Sequence, residues 1–164
     1  MKTLIIIRHA KSGWADQNQS DFERSLTISG ILEAETMANK LKNRIPSIDY
    51  FICSTALRAR STCDKFCKIY QYPSHKVEYS DQLYHAPESL IHAIIAAVSN
   101  EHNIITVVCH NPGITEFVNQ LTQQVKIDNM PTSGVFAVEA NCEAWTDFEK
   151  ATKKFLFFDY PSRQ

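Results

Sequence analysis

The sequence predicts an α/β fold: a three-layer sandwich in which a central, mostly parallel sheet carries helices on both faces. Three observations predict it. Short apolar runs at residues 4–7, 50–53 and 103–109 have no polar alternation, the pattern of strands covered on both sides, and the first and last are rich in β-branched side chains. Between them lie segments whose apolar residues recur at helical spacing. The first and last runs end abruptly, in Arg8-His9 and in His110, with no turn residue between strand and polar group. Ligands of open α/β sheets bind just beyond the carboxyl ends of the strands. The pattern that predicts the fold therefore also points to a site.

The elements follow in order. After the strand at 4–7, the polar stretch 16–21 (D-Q-N-Q-S-D) reads as a loop; with only four glycines in the chain, loops here rely on Asp, Asn, Ser and Pro. Residues 22–26 lead into a helix that Thr27 or Ser29 can cap. Ile31, Ala34, Met37, Ala38, Leu41 and Ile45 form its apolar face, and Pro46 stops it. Ser54 ends the strand at 50–53, and a helix runs from Ala56 to about Tyr70. Residues 77–79 make a short third strand. Pro87 opens the next helix, with Glu88 favoured by its dipole and Leu90, Ile91, Ile94, Ile95 and Val98 on its apolar face. The strand at 103–109 runs into His110-Asn111-Pro112-Gly113, and a helix packed by Ile114, Phe117, Val118 and Leu121 starts at Pro112 or Gly113. Strands at 135–140 and 154–158 form an antiparallel pair, because the polar stretch between them carries no convincing helical pattern. No repeat, low-complexity tract or linker divides the chain, so one domain spanning 1–164 is expected.

Composition narrows the function. A chain of 164 residues can bury a real core. Its formal net charge of −1 disfavours a general affinity for nucleic acid or an anionic membrane. No apolar run approaches the ~20 residues of a membrane span, and the run before Arg8 is too short for a secretory leader, so a cytoplasmic location is expected. The cysteines, Cys53, Cys63, Cys67, Cys109 and Cys142, are odd in number and sit mostly among apolar neighbours, as reduced core thiols do. Cys63 and Cys67 share a helical face but lack the further ligands a zinc site needs, so neither metal nor cofactor is expected.

What remains is a constellation of Arg8, His9, Arg58 and His110, all at strand or helix ends on one edge of the sheet. Each alone is a weak signal. A strand-end arginine is commonly a solubilising charge, Arg58 and Arg60 are ordinary solvated helix charges by default, and a lone strand-end histidine is as often structural. Two arginines and two histidines around one hole, however, make an electropositive pocket suited to a dianionic phosphoryl group, since each guanidinium can take two oxygens. A neutral imidazole there can attack phosphorus and hold it transiently, splitting one hard step into two.

The same segments resemble the histidine phosphatase superfamily, and within it the SixA-type phosphohistidine phosphatases. L-I-I-I-R-H-A-K-S is similar to the family's first motif, with Ala10 where many members have Gly. D-F-E-R-S-L-T-I-S-G is similar to the SixA-type D-x-x-R-x-L-T-x-x-G, through Asp21, Arg24, Leu26, Thr27 and Gly30. C-S-T-A-L-R-A-R-S-T resembles S-x-x-x-R-A-x-x-T, through Ser54, Arg58 and Thr62. V-V-C-H-N-P-G resembles the G-H-N-P motif, with Cys109 in place of Gly, and M-P-T-S-G a late SixA-type segment. The resemblance implies a phosphoglycerate mutase-like fold and a metal-independent phosphatase. It implies His9 as the phosphorylated nucleophile, Arg8, Arg58 and His110 as phosphate ligands, and Ser12 and Asn111 as further pocket members.

One departure bears on the substrate. Many members carry a Glu or Asp after the third strand as proton donor to the leaving group; here Leu83 is followed by Tyr84-His85. An alkoxide leaving group needs a positioned acid, typically worth 10²–10⁴-fold, whereas an imidazole is less demanding. The expected substrate is therefore phosphohistidine on a protein, or a small phosphorylated molecule. His85 and Glu88 are the candidate donors. A phosphoryl-transfer mutase and a non-catalytic phosphate-binding module are the alternatives.

Overall fold

The computed structural model describes residues 1–162. Its regular elements are β1 (Lys2–Arg8), α1 (Ile28–Arg44), β2 (Tyr50–Ser54), α2 (Leu57–Tyr70), β3 (Glu78–Ser80), α3 (Glu88–Ala96), β4 (Ile104–Cys109), α4 (Gly113–Leu121), β5 (Val135–Ala140) and β6 (Lys153–Asp159). The six strands form one sheet in the order β3-β2-β4-β1-β5-β6. β1 to β4 run parallel; β5 pairs antiparallel with both β1 and β6.

β1 is central because both of its edges are paired, Leu4 to Ile105 on one side and to Val138 on the other. Its side chains alternate between two cores, as strand geometry dictates. Leu4 and Ile6 meet α3 and α4 through Ile91, Ile95, Ile114, Phe117 and Val118. Ile5 and Ile7 meet α1 and α2 through Met37, Leu41, Ala59, Cys63 and Phe66. The apolar run at 4–7 is thus the spine of both layers, and the α/β sandwich is as expected.

Residues 22–26 lead into α1 as expected: Asp21–Glu23 is a single 3-10 turn, Leu26 forms a β-bridge with Ser12, and α1 begins at Ile28. Of the two candidate caps Thr27 is the N-cap, its side chain accepting from the Gly30 N–H. Two boundaries differ from expectation. The third strand lies one residue later than expected, and α3 stops at Ala96, before Val98.

A close approach fixes α1 against the end of β1. A Cβ on Gly30 would lie 2.2 Å from the Lys11 carbonyl oxygen, so only glycine allows the helix to seat there. That oxygen accepts from the Thr27 N–H at 2.9 Å. The loop following His9 is thereby clamped to the first turn of α1.

Candidate active site

The carboxyl ends of β1, β2 and β4 converge on one cleft. Arg8 is the last residue of β1, His9 follows it, and His110 follows β4. Ser54 closes β2 and Arg58 opens α2. These positions come from three separate stretches of the chain, and the parallel sheet brings them together.

His9 is 7% exposed and its ring orientation is fixed. Nδ1 lies 2.8 Å from the Ala10 carbonyl oxygen, which can only accept, so Nδ1 carries the proton and Nε2 bears a lone pair. Arg58 Nε donates toward that Nε2 at 3.4 Å. Burial lowers the His9 pKa to about 4, helped by the positive charges of Arg58, Arg8 and Arg24 and opposed by the bond to Ala10. His9 is therefore a neutral imidazole at physiological pH, with its unprotonated nitrogen facing Arg58.

His110 stands beside it, ring centroids 5.1 Å apart. Its Nε2 is 2.7 Å from Ser54 Oγ, while Nδ1 has no partner. Burial, then the neighbouring His9 and Arg58, push its pKa far down. Both rings are therefore neutral at physiological pH. A bound dianion would favour the protonated form of His110 and turn it into a cationic donor.

Arg8 donates through Nη1 to the Met130 carbonyl at 2.8 Å, and its buried Nε is unpartnered. Arg58 is almost fully buried and uses its whole fork. Beyond His9, Nη1 donates to the Asp21 carbonyl oxygen at 2.7 Å and Nη2 to Asp21 Oδ2 at 3.1 Å. The loop 8–10 is held from both sides, by the Ser133 N–H donating to the Arg8 and His9 carbonyls and by Thr62 Oγ1 accepting from the Ala10 N–H. Ala10 and Cys109, which stand where many relatives have glycine, both keep negative φ, so neither position needs glycine here.

The other expected residues fall out differently. Ser12 Oγ accepts from Arg24 Nη2 at 2.9 Å, so it reaches the site through an arginine. Asn111 donates to Asn129 Oδ1 and to the Met130 carbonyl, both at 3.0 Å, and accepts from Thr115 Oγ1 at 2.6 Å; its side chain is committed to the loop that holds Arg8. His85 lies at the mouth, 58% exposed, its Nε2 3.6 Å from Asp21 Oδ2 and its ring centroid 6.3 Å from that of His110. Glu88 sits in the first turn of α3 and faces Glu116 of α4, whose carboxyl pKa it raises. The structure thus brings Arg8, His9, Arg58, His110 and His85 together and turns Glu88 to another carboxylate.

Three residues join that the strand-end argument misses. The Asp21 carboxylate takes hydrogen bonds from Tyr84 OH at 2.6 Å and from Arg58 Nη2 and Arg24 Nη1, each at 3.1 Å. Those bonds outweigh the cost of its burial and hold its pKa well below the usual carboxylate range. Arg24 adds a third guanidinium, stacked over Trp14 with 4.7 Å from its Cζ to the ring. Asp21 and Arg24 are fixed members of the D-x-x-R segment, and that fixed spacing within a polar loop is the signal that could have found them. Among the described residues no group of three or more His, Cys, Asp or Glu side chains is arranged to hold a metal ion, and no helix is long and apolar enough to cross a membrane.

Comparison with known proteins agrees with this geometry. A model of the histidine phosphatase superfamily (branch 1) matches residues 4–84, which include Arg8, His9, Asp21, Arg24 and Arg58. The uncharacterised protein ML1117 of Mycobacterium leprae is 29% identical over 167 residues, covering 94% of this chain and 99% of that one. Among solved structures, a protein from Agrobacterium tumefaciens named as a phosphohistidine phosphatase SixA superimposes with a TM-score of 0.83 at 25% identity, with 98% of each chain covered. One from Nakamurella multipartitia, named likewise, gives 0.84 at 26% identity, over 99% of this chain and 97% of that one. The protein histidine phosphatase SixA in complex with tungstate gives 0.79 at 25% identity, over 96% of each. The order of the motifs, the convergence of their residues in one cleft and these likenesses agree: the chain belongs to the histidine phosphatase superfamily, with a phosphoglycerate mutase-like fold and the site of a phosphatase.

Proposed function

We propose that this protein is a metal-independent phosphatase that passes a phosphoryl group through His9, with phosphohistidine on a protein, or a small phosphorylated molecule, as substrate. The observation that carries the proposal is the state of His9: proton on Nδ1, lone pair on Nε2, neutral at physiological pH and facing a guanidinium fork. In the first step Nε2 forms a bond to phosphorus while the bond to the leaving group breaks. In the second, water attacks phosphorus, the P–N bond breaks, and His9 is released as neutral imidazole with inorganic phosphate. Arg8, Arg58 and His110 bind the equatorial oxygens, where charge accumulates. Ser12 and Asn111 act from behind this shell, by orienting Arg24 and the Met130 loop. His85 is the better placed of the two candidate proton donors, since Glu88 is turned to Glu116. The similar SixA structure bound to tungstate, an oxyanion of phosphate-like shape, supports the reading.

The test is phosphate release in the presence of a chelator, from a phosphohistidine-bearing protein and from an alkyl phosphomonoester. Turnover should favour the phosphohistidine substrate and fall at least ~10³-fold in His9→Ala, the scale set by losing a covalent nucleophile. An acid-labile, base-stable phosphoenzyme should be trapped in wild type and absent from that variant. Activity that persists in His9→Ala, or that appears only on adding metal, refutes the mechanism.

A further inference from the structure

Asp21 is a carboxylate in a site built to attract anions, and the mechanism above does not use it. It does not lie at the floor. His9 and His110 are buried, while Asp21 is about one-third exposed and borders His85 at the mouth. A phosphoryl group seated on His9 must extend its leaving group toward solvent, past Asp21. The carboxylate also occupies donors. Arg58 presents Nε and Nη2 along one edge, and Asp21 Oδ2 takes the Nη2 end while His9 takes the other. Arg24 Nη1 is bound to Oδ1 and Arg24 Nη2 to Ser12. Two guanidiniums, Arg58 and Arg24, bind the Asp21 carboxylate and Arg8 is a third in the cleft; with His9 and His110 neutral, a dianionic phosphoryl group brings the charge of these groups to zero. Lys11, two residues beyond His9, lines a separate groove with Glu33 and Asp128.

We propose that Asp21 is the specificity-determining residue of the site: its carboxylate excludes substrates with a second anionic group near the phosphoryl group and favours a leaving group that carries positive charge. The proposal rests on the phosphatase reading for its catalytic part. It also accounts for the missing acid. A phosphorylated imidazole protonated on its other ring nitrogen is a cation at the ring. When its P–N bond breaks, the electron pair stays on the ring nitrogen and the imidazole departs neutral, already holding its proton. A carboxylate beside that ring favours the protonated form, so no separate proton donor is needed for this leaving group. An alkoxide gains nothing from Asp21. A phosphoglycerate, with its own carboxylate, meets a like charge there.

The experiment compares wild type, Asp21→Asn and Asp21→Glu on two readouts. The first is binding, by calorimetry, of inorganic phosphate and of 3-phosphoglycerate. Asp21→Asn should raise affinity for 3-phosphoglycerate at least ~10-fold more than for phosphate, as expected for removing a like charge in a partly desolvated site, and Asp21→Glu should restore most of the discrimination. The second is kcat/KM for phosphoimidazole and for an alkyl phosphomonoester. The ratio between them should fall at least ~10-fold in Asp21→Asn and recover in Asp21→Glu. A merely structural Asp21 would lower both substrates together and leave both ratios unchanged, which would overturn the proposal. A wild type inactive on every substrate would refute the phosphatase reading alone, because the binding ratio would still decide for or against Asp21.

Discussion

Nε2 of His9 and Nε of Arg58 face each other at 3.4 Å, a cation donating to the unprotonated ring nitrogen. Burial first, and then the charge of Arg58, keep the imidazole unprotonated. That state has a consequence for stability. The folded-state pKa of His9 is about 4, below the ~6.5 of an unfolded histidine, so between those values the unfolded chain binds a proton that the folded chain refuses. The His9 contribution is fully present above pH ~6.5, declines as pH falls through the window and is lost below 4; the cost is on the order of 3 kcal/mol. His110 acts in the same direction. Urea unfolding at pH 7 and pH 5 should show about 2 kcal/mol of this loss in wild type and a smaller loss in His9→Gln. Equal losses in the two proteins would mean that His9 titrates normally.

Arg58 should not tolerate lysine. Its fork makes three directed contacts, to His9 Nε2, the Asp21 carbonyl and Asp21 Oδ2, and one ammonium cannot reproduce them. Arg58→Lys keeps the charge and should still lose about 10²–10³-fold in kcat/KM, the scale of losing one oriented transition-state donor. Thermal melting run alongside separates this loss from unfolding. A folded Arg58→Lys with activity within ~5-fold of wild type would show that charge, rather than the fork, is what the site requires.

Asn111 illustrates a residue whose neighbourhood and contacts differ. It stands beside His110, yet its amide is spent on Asn129 and on the Met130 carbonyl that also accepts from Arg8. Asn111→Ala leaves the Thr115 hydroxyl without its acceptor and removes the bonds to Asn129 and Met130, and should cost about 1 kcal/mol of stability, a drop of a few degrees in melting temperature. Its effect on kcat/KM should be small by comparison. A variant that melts normally but loses ~10²-fold in phosphate binding would make Asn111 a direct ligand.

The parts of the fold legible in the sequence are those where one physical demand dominates. β1 and β4 are buried on both faces, so their composition is uniform and their ends are sharp, and Arg8, His9 and His110 mark the place where burial stops. Helix α1 keeps a regular apolar face because it covers the sheet. Asp21, Arg24 and Tyr84 are invisible to this logic. Asp21 is placed by bonds to Arg58 and Tyr84, 37 and 63 residues away, and Arg24 by its bond to Asp21, while D-F-E-R on its own reads as the approach to a helix. The bonds to Arg58 and Tyr84 hold Asp21 at the cleft. Long-range polar pairing leaves no periodicity in a sequence, and here only the fixed D-x-x-R spacing hints at it.

Gly30 offers the sharpest test of how α1 supports the catalytic loop. It lies in the first turn of a helix, where alanine would ordinarily stabilise by roughly 1 kcal/mol over glycine. Its missing Cβ, however, points at the Lys11 backbone, 2.2 Å from the carbonyl oxygen and 3.1 Å from both the carbonyl carbon and the amide nitrogen. Backbone cannot swing aside as a side chain can, so Gly30→Ala must push α1 and residues 10–12 apart. Lys11 is joined to Ala10, whose carbonyl fixes the proton of His9 on Nδ1. The variant should therefore melt several degrees lower despite its better helix propensity, and should lose at least ~10-fold in kcat/KM because the His9 ring is no longer held. Gly13→Ala is the control, since its Cβ would meet only the Thr27 methyl, at 3.3 Å, and a methyl can yield. If Gly30→Ala instead melts higher and keeps its activity, helix propensity governs the position, and the clamp between α1 and the His9 loop is not what aims the nucleophile.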